Sequence, residues 1–149
     1  MDVLATLMRA YLGTRYAVVE DPAAGVVEAR IGAHSARVDA ILERHGARSG
    51  IFLTAWNPGS RTRPRPVNEA AQRRLDAELR RRGIVCLPHL GIGDDPAWEP
   101  EQGVLALDLP LADALALAEA FGQNALVEVR RGEPARLRLT ALMPCLAAD

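Results

Sequence analysis

The stretch GIFLTAWNPGS, residues 50–60, runs a short apolar segment into a Trp-Asn-Pro-Gly break. GIFLTAW is apolar on both faces, which suits an interior strand covered from two sides rather than a half-solvated one. The loop that follows, NPGSRTRPRP, holds prolines that forbid regular structure. Polar groups at the end of a buried strand are a common place for α/β domains to build a site, so this stretch bears on fold and function together.

Downstream, Asn68 is expected to cap a helix over about 68–82, with Ala71, Leu75 and Leu79 inward and Gly83 ending it. IVCLPHL reads as the next strand and GIGDDPAWEPEQ as a long polar loop. GVLALDL is a further strand, and Pro110 pre-sets a helix that runs to Phe121 and stops at Gly122. NALVEVR and ARLRLTAL alternate about RGEP as a hairpin. Upstream, Val3, Leu4, Leu7, Met8 and Tyr11 recur at helical spacing and predict a helix over 2–12. TRYAVVE and VVEARIG, joined by DPAAG, form a hairpin. Ser35 caps a helix whose face is Val38, Ile41, Leu42 and His45, with Gly46 as its left-handed stop. The order is α-ββ-α-β-α-ββ-α-ββ: an α/β (α+β) single domain over residues 1–149 with a mixed sheet.

The chain has 149 residues, 49% hydrophobic and 25% charged, with a formal charge of -1. That suits one globular domain able to bury roughly 70% of its unfolded surface. A balance so near neutral speaks against bulk binding to nucleic acid or acidic membranes. All cations are arginine. Cys86 and Cys145 form no disulfide framework and no metal spacing. Asp2 stands where a secretion signal carries positive charge, and no apolar run approaches the ~20 residues of a membrane span. A cytoplasmic protein is therefore expected.

If each helix packs back across the sheet, strand 51–56, helix 68–82 and strand 84–89 make a βαβ unit with parallel strands. The loops 57–67 and 90–103 then emerge at one edge, and strand 124–130 starts from it. This threading gathers Trp56, Asn57, Ser60, His89, Asp94, Asp95, Trp98, Glu99, Gln123 and Asn124 at one rim, with His34 and Ser35. Such a rim is the usual ligand crevice of an open α/β sheet.

FLTAWNPGS, the helix start at Asn68, the Gly91-Ile92-Gly93 and Trp98-Glu99 stretch, and FGQNALVEV at 121–129 resemble the bacterial domain-of-unknown-function family 3293. The resemblance runs from about Tyr16 to Val129, and its WNP and FGQNA signatures are fairly specific. It implies a small stand-alone cytoplasmic domain without an established activity. It places emphasis on Trp56, Asn57, Pro58, Ser60, Asn68, Trp98, Glu99, Gln123, Asn124 and Ala125. The family pattern commonly carries a serine where this chain has Glu101.

Each rim residue has a bland role beside a functional one. Asn57 before Pro58 can bond its own backbone as a turn opener, and Gln123 and Asn124 can satisfy loose helix-end carbonyls. As recognition groups, the same amides read a neutral amide, a base edge or a sugar. Trp56 suits a core or loop anchor, whereas Trp98 can close over a flat ligand. Glu99 and Asp95 are the candidates for a general acid or base, against simple solvation on a loop. His89, Cys86 and the carboxylates show no recognised metal spacing, and Cys86 has no base to activate it. Gly91-x-Gly93 lacks the third glycine and the helix of a dinucleotide fingerprint.

Arg61, Arg63 and Arg65 are candidates for contacting an anionic group. The helix arginines, by contrast, are expected to be neutralised by Glu69–Arg73, Asp76–Arg80 and Glu78–Arg82 pairs. The leading expectation is a small polar ligand bound by Trp56, Asn57, Ser60, Trp98, Gln123 and Asn124. A protein partner engaged through a strand edge or the Arg-rich loop is the alternative, and nucleic-acid binding ranks below both. No cofactor, metal or membrane partner is assigned.

Overall fold

The computed structural model describes residues 2–20 and 25–144. Residues 21–24 of the expected DPAAG turn and Cys145 lie outside the described residues. The elements are α1 (Val3–Leu12), β1 (Arg15–Val18), β2 (Val27–Ala29), α2 (Ala36–Arg44), β3 (Ser49–Leu53), α3 (Arg65–Arg81), β4 (Cys86–Ile92), β5 (Glu101–Leu107), α4 (Leu111–Ala120), β6 (Ala125–Arg130) and β7 (Arg136–Leu139). The expected α+β class and element order stand.

The seven strands form one curled sheet in the order β2-β1-β4-β5-β3-β6-β7. Its ladders are antiparallel, and one isolated parallel bridge joins Ile31 to Ala135 beside the two edge strands. The expected βαβ unit is modified in one respect. β3 and β4 do run in the same direction, but β5 lies between them and pairs with both, Phe52 and Leu87 each facing Leu105. Backbone partners are set by non-local pairing, which a hydrophobic pattern does not encode.

β3 explains why its sequence is apolar on both faces. Phe52 enters the concave core with Tyr16, Val18, Leu105 and Val127, plugged by Val38, Ile41 and Leu42 of α2. Ile51 and Leu53 face the other way, under Ala71, Leu75 and Leu79 of α3 and Ala114, Leu117 and Ala118 of α4. Side chains of adjacent residues thus anchor two cores, as strand alternation requires.

Ser35 caps α2, its Oγ accepting from the Val38 backbone N–H at 3.2 Å. The start of α3 departs from expectation. It begins at Arg65, with Pro66 in the first turn, so Asn68 sits within the helix rather than capping it. Proline is tolerated there because the amide it lacks has no intrahelical partner anyway. The released Asn68 side chain is buried and turns to the 57–63 loop.

Candidate functional site

Beyond β3 the chain reverses through Asn57 (φ 45), Gly59 (φ 66) and Ser60 (φ 60), with a single 3₁₀ turn at Pro58–Ser60. Asparagine tolerates this left-handed backbone better than most residues, and glycine adopts it freely. The reversal is held by a reciprocal amide pair. Asn68 Oδ1 accepts from the Asn57 backbone N–H at 2.9 Å, and Asn68 Nδ2 donates to Asn57 Oδ1 at 2.7 Å. Asn57 Oδ1 also accepts from Arg63 N at 3.0 Å. Gln72 Oε1 takes the Ala55 N–H at 3.0 Å.

The α4–β6 junction closes on the same loop. Gln123 Nε2 donates to the Trp56 carbonyl at 3.1 Å, and Gly59 N donates to the Gly122 carbonyl at 2.8 Å. Gly122 (φ 72) admits no side chain, since a Cβ there would meet Pro58 Cβ at 2.8 Å. Thr140 Oγ1 donates to the Gln123 carbonyl at 2.7 Å. The threading expectation therefore holds for 56–60 and 123–124: they meet at one end of the sheet. The side-chain amides of Asn57, Asn68, Gln72 and Gln123 are engaged with the chain's own groups there.

Ser60 and Asn124 differ. They bear on the phenol of Tyr11, at the end of α1: burial raises its pKa, hydrogen bonding by Ser60 and Asn124 opposes the rise, and the charge of Glu101 adds to it. Glu101, the first residue of β5, is itself half-buried, and desolvation raises its carboxyl pKa. Trp98 Nε1 donates to Glu101 Oε2 at 3.2 Å, which favours the ionised form and partly offsets that rise. Trp98 is 38% exposed on the 93–100 loop.

Glu101→Gln should raise Tm at pH 7, because a carboxyl whose folded pKa is raised loses stability as pH rises through it. The gain should vanish as pH falls below the ordinary carboxyl value, and melts at the two pH values check this.

The other candidates are placed as follows. Asp95 Oδ1 accepts from Ala97 N at 2.9 Å in a local turn, and Glu99 is exposed on the same loop. Asp94 packs beside Gly13, at the end of α1. Trp56 is buried with the Arg65 guanidinium 5.9 Å above its ring, and Arg65 also pairs with Glu69 at 2.7 Å. The guanidinium-bearing residues Arg61 and Arg63 are exposed. On α3, Glu78 pairs with Arg82 at 2.9 Å as expected and with Arg81 at 2.6 Å, while Asp76 instead accepts from Gln72 at 2.9 Å.

Two histidine placements are corrected. β4 continues to Ile92, so His89 lies mid-strand and buried rather than at the rim, with its ring against Phe52 and Tyr16. His34 and Ser35 sit at the far end of β6: His34 pairs with Asp39 at 2.6 Å, and Asp39 also accepts from Gly132 in the β6–β7 turn. The curl of the sheet carries the end of β2 to the start of β7, which simple up-and-down counting misses.

Cys86 is a half-buried strand residue whose thiol is pushed up to about 11 by burial, so it is held as a thiol at neutral pH. Among the described residues, no three His, Cys, Asp or Glu side chains are grouped to hold a metal ion, and no helix is long and apolar enough to cross a membrane. A separate groove of about 570 Å³ runs between α3 and the outer face of β4, past Gln72, Asp76, Arg80, Cys86 and Pro88.

Of the residues expected at the rim, the structure brings Trp56 and Asn57 together with Gln123 at one end of the sheet. Glu101 was passed over because the strand it opens was read as loop.

Residues 53–126 match the family model described as Protein of unknown function (DUF3293), a narrower span than the Tyr16–Val129 of the resemblance. Searches of curated proteins and of solved structures return no match.

Proposed function

For a chain that belongs, over residues 53–126, to the family described as protein of unknown function (DUF3293), we propose binding of a small polar ligand at the rim. Trp56, Asn57 and Gln123 brace the wall, while Ser60 and Asn124 make the hydrogen bonds. Trp98 covers the ligand, and Arg61 and Arg63 meet any anionic part of it. The observation that supports this reading is the division of labour among the rim groups. Four amides serve the backbone, whereas Ser60 and Asn124 bear on the half-buried Tyr11 phenol, whose pKa they lower. Glu101 takes the acid–base position that Glu99 and Asp95 were expected to offer, since desolvation sets it apart from an ordinary surface carboxylate. The composition supports placing this protein in a reducing cytoplasm.

A second reading, a protein-interaction module, draws on the groove beside α3, where Pro88 of β4 is exposed and Arg80 lies on the helix wall.

The test is a thermal-shift screen of nucleosides, sugars and small amides against the wild type and a Ser60→Gly/Asn124→Ala double variant. Glycine suits the positive φ at position 60 and removes only the hydroxyl. The expected result is a stabilising compound whose shift falls at least about tenfold in affinity in the double variant, two lost hydrogen bonds being worth about 1 kcal/mol each. A shift that survives the double substitution undiminished, or a panel with no response, sinks the rim reading.

A further inference from the structure

α3 packs on β5, and α4 packs on β3 and β6, so the helical roof stops short of the outer face of β4, where the groove of about 570 Å³ opens. That volume falls within the range of small-molecule sites, about 300–1,000 Å³. The floor is apolar, made by Val19, Ile84, Cys86, Pro88, Leu90 and Val104. Gln72, Asp76 and Arg80 form the helix wall, each a turn apart and so aligned on one side of α3.

Charge pairing along the helix does not account for the state of this wall. Asp76 and Arg80 stand at the favourable acid-then-base spacing, yet Arg80 has no ion pair among the described residues. Asp76 is held by Gln72 instead. The buried Gln72 gives its Oε1 to the Ala55 N–H at 3.0 Å, which commits its Nε2 to Asp76 Oδ1 at 2.9 Å. The carboxylate is thus set in place from behind, and its Oδ2 is unused among the described residues. The half-buried Gln102, from β5, lines the same groove, and its side-chain amide makes no hydrogen bond among the described residues.

From this arrangement we infer that the groove binds a free dipeptide with apolar side chains, its ammonium on Asp76, its carboxylate on Arg80 and its peptide group at Gln102. A simple amine would be drawn to Asp76 and repelled by Arg80, and a simple carboxylate would meet the reverse. A molecule carrying both charges satisfies both residues. Side chains four apart on a helix stand about 5–6 Å apart at Cβ. The charged groups of a single amino acid are two bonds apart, about 2.5 Å, whereas two extended residues span about 7 Å. The dipeptide is the better match in length, and the floor favours apolar side chains on it. The groove shares no residue with the rim, so this inference is independent of the rim reading. Against the interaction module, it commits the groove to a ligand with both termini free rather than to a segment within a protein chain.

The probes are leucyl-leucine, valyl-valine and leucyl-valine, titrated into the full-length protein and followed by ¹H–¹⁵N spectra. The expected result is saturable binding of at least one, shifting the Gln72 and Gln102 side-chain amides and the backbone of Leu90 and Val104. Asp76→Asn keeps an acceptor for Gln72 and removes the charge, and Arg80→Gln removes the other. Each should weaken binding about tenfold or more, the loss expected for one charged hydrogen bond. N-acetylation of the peptide should cost the wild type as much and cost Asp76→Asn little. Amidation of its carboxyl group should behave likewise toward Arg80→Gln.

The inference is overturned if none of the three peptides shifts the groove, or if both substitutions leave affinity unchanged. Free leucine binding as tightly as the dipeptides overturns the length match. A peptide blocked at both ends that binds equally well overturns the free-dipeptide assignment and leaves the interaction module standing. Groove shifts that appear on raising protein concentration alone would assign the face to a second copy of the chain, with the same consequence for the dipeptide. Shifts confined to Trp56, Gln123 and Asn124 would move the peptide to the rim and also overturn the groove site.

Discussion

Replacing Asn68 by alanine is expected to destabilise the domain by about 3 kcal/mol, the largest effect of any single polar substitution at the rim. The side chain is 2% exposed and works as a double bracket. Its oxygen satisfies the backbone N–H of Asn57, and its Nδ2 satisfies Asn57 Oδ1 at 2.7 Å and the Arg63 carbonyl at 3.3 Å. Alanine leaves the buried Asn57 N–H without its partner, a loss of about 1–3 kcal/mol, and takes from Asn57 Oδ1 one of its two donors, Arg63 N–H remaining. It also frees a left-handed turn at Asn57 whose backbone is held by those bonds.

For a chain of this length, such a loss lowers Tm by about 6–12 °C. Asn68→Asp keeps the acceptor for Asn57 N–H but turns a donor into a second acceptor facing Asn57 Oδ1, so it should be no better than alanine. Asn124→Ala is the contrast. Its side chain braces no backbone group of the 57–63 turn among the described residues, and its loss should cost no more than about 1 kcal/mol. Urea melts of the three variants check the ranking. Equal and small losses for Asn68→Ala and Asn124→Ala would mean that the bracket is not what holds the 57–63 loop.

The same bracket shows how far the sequence was legible. Alternation and helical spacing carried the elements, since Ile51 and Phe52 declare opposite faces through their neighbours, and Ser35 and Gly46 declare the ends of α2. Strand order was not legible, because nothing in GVLALDL states that it slips between β3 and β4. Asn68 was misplaced by a local rule: a proline-rich approach looked like loop, while Pro66 is compatible with a first helical turn. The meeting of residues 56–60 with 123–124 followed from counting passes of the chain. The pairing of each amide did not, because hydrogen-bond partners depend on ångström-scale placement.

His89 carries the second large effect, an acid weakness built into the core. Wild-type stability is expected to fall by about 3 kcal/mol between pH 6.5 and pH 4 on account of this one side chain. The ring is buried 5.1 Å from Phe52, centroid to centroid, and lies across Gly103 on the neighbouring strand. Desolvation lowers its pKa from 6.5 to about 4, a hydrogen bond with the Val104 backbone opposes the shift, and among the described residues Nδ1 has no partner. A protonated ring would bring an unpaired donor and a charge into an apolar setting. The folded state therefore keeps the neutral form, whereas the unfolded chain takes up a proton below about pH 6.5. Stability is full above the unfolded value and drains as pH falls toward the folded one.

His89→Gln removes the titration and keeps a donor for the Val104 backbone. Its absolute stability is expected to be lower at pH 7, but its slope between pH 6.5 and 4 should be shallower by about one proton. Comparing slopes rather than midpoints separates His89 from the surface carboxylates and from His34 and His45, which both chains share. An identical slope in wild type and His89→Gln would show that the acid sensitivity arises elsewhere. Gly103→Ala tests the packing independently, because its Cβ would meet the Leu53 carbonyl at 2.6 Å as well as the His89 ring. Neither neighbour can move without opening the β3–β5 or β4–β5 ladder, so this variant should lose at least about 2 kcal/mol at every pH.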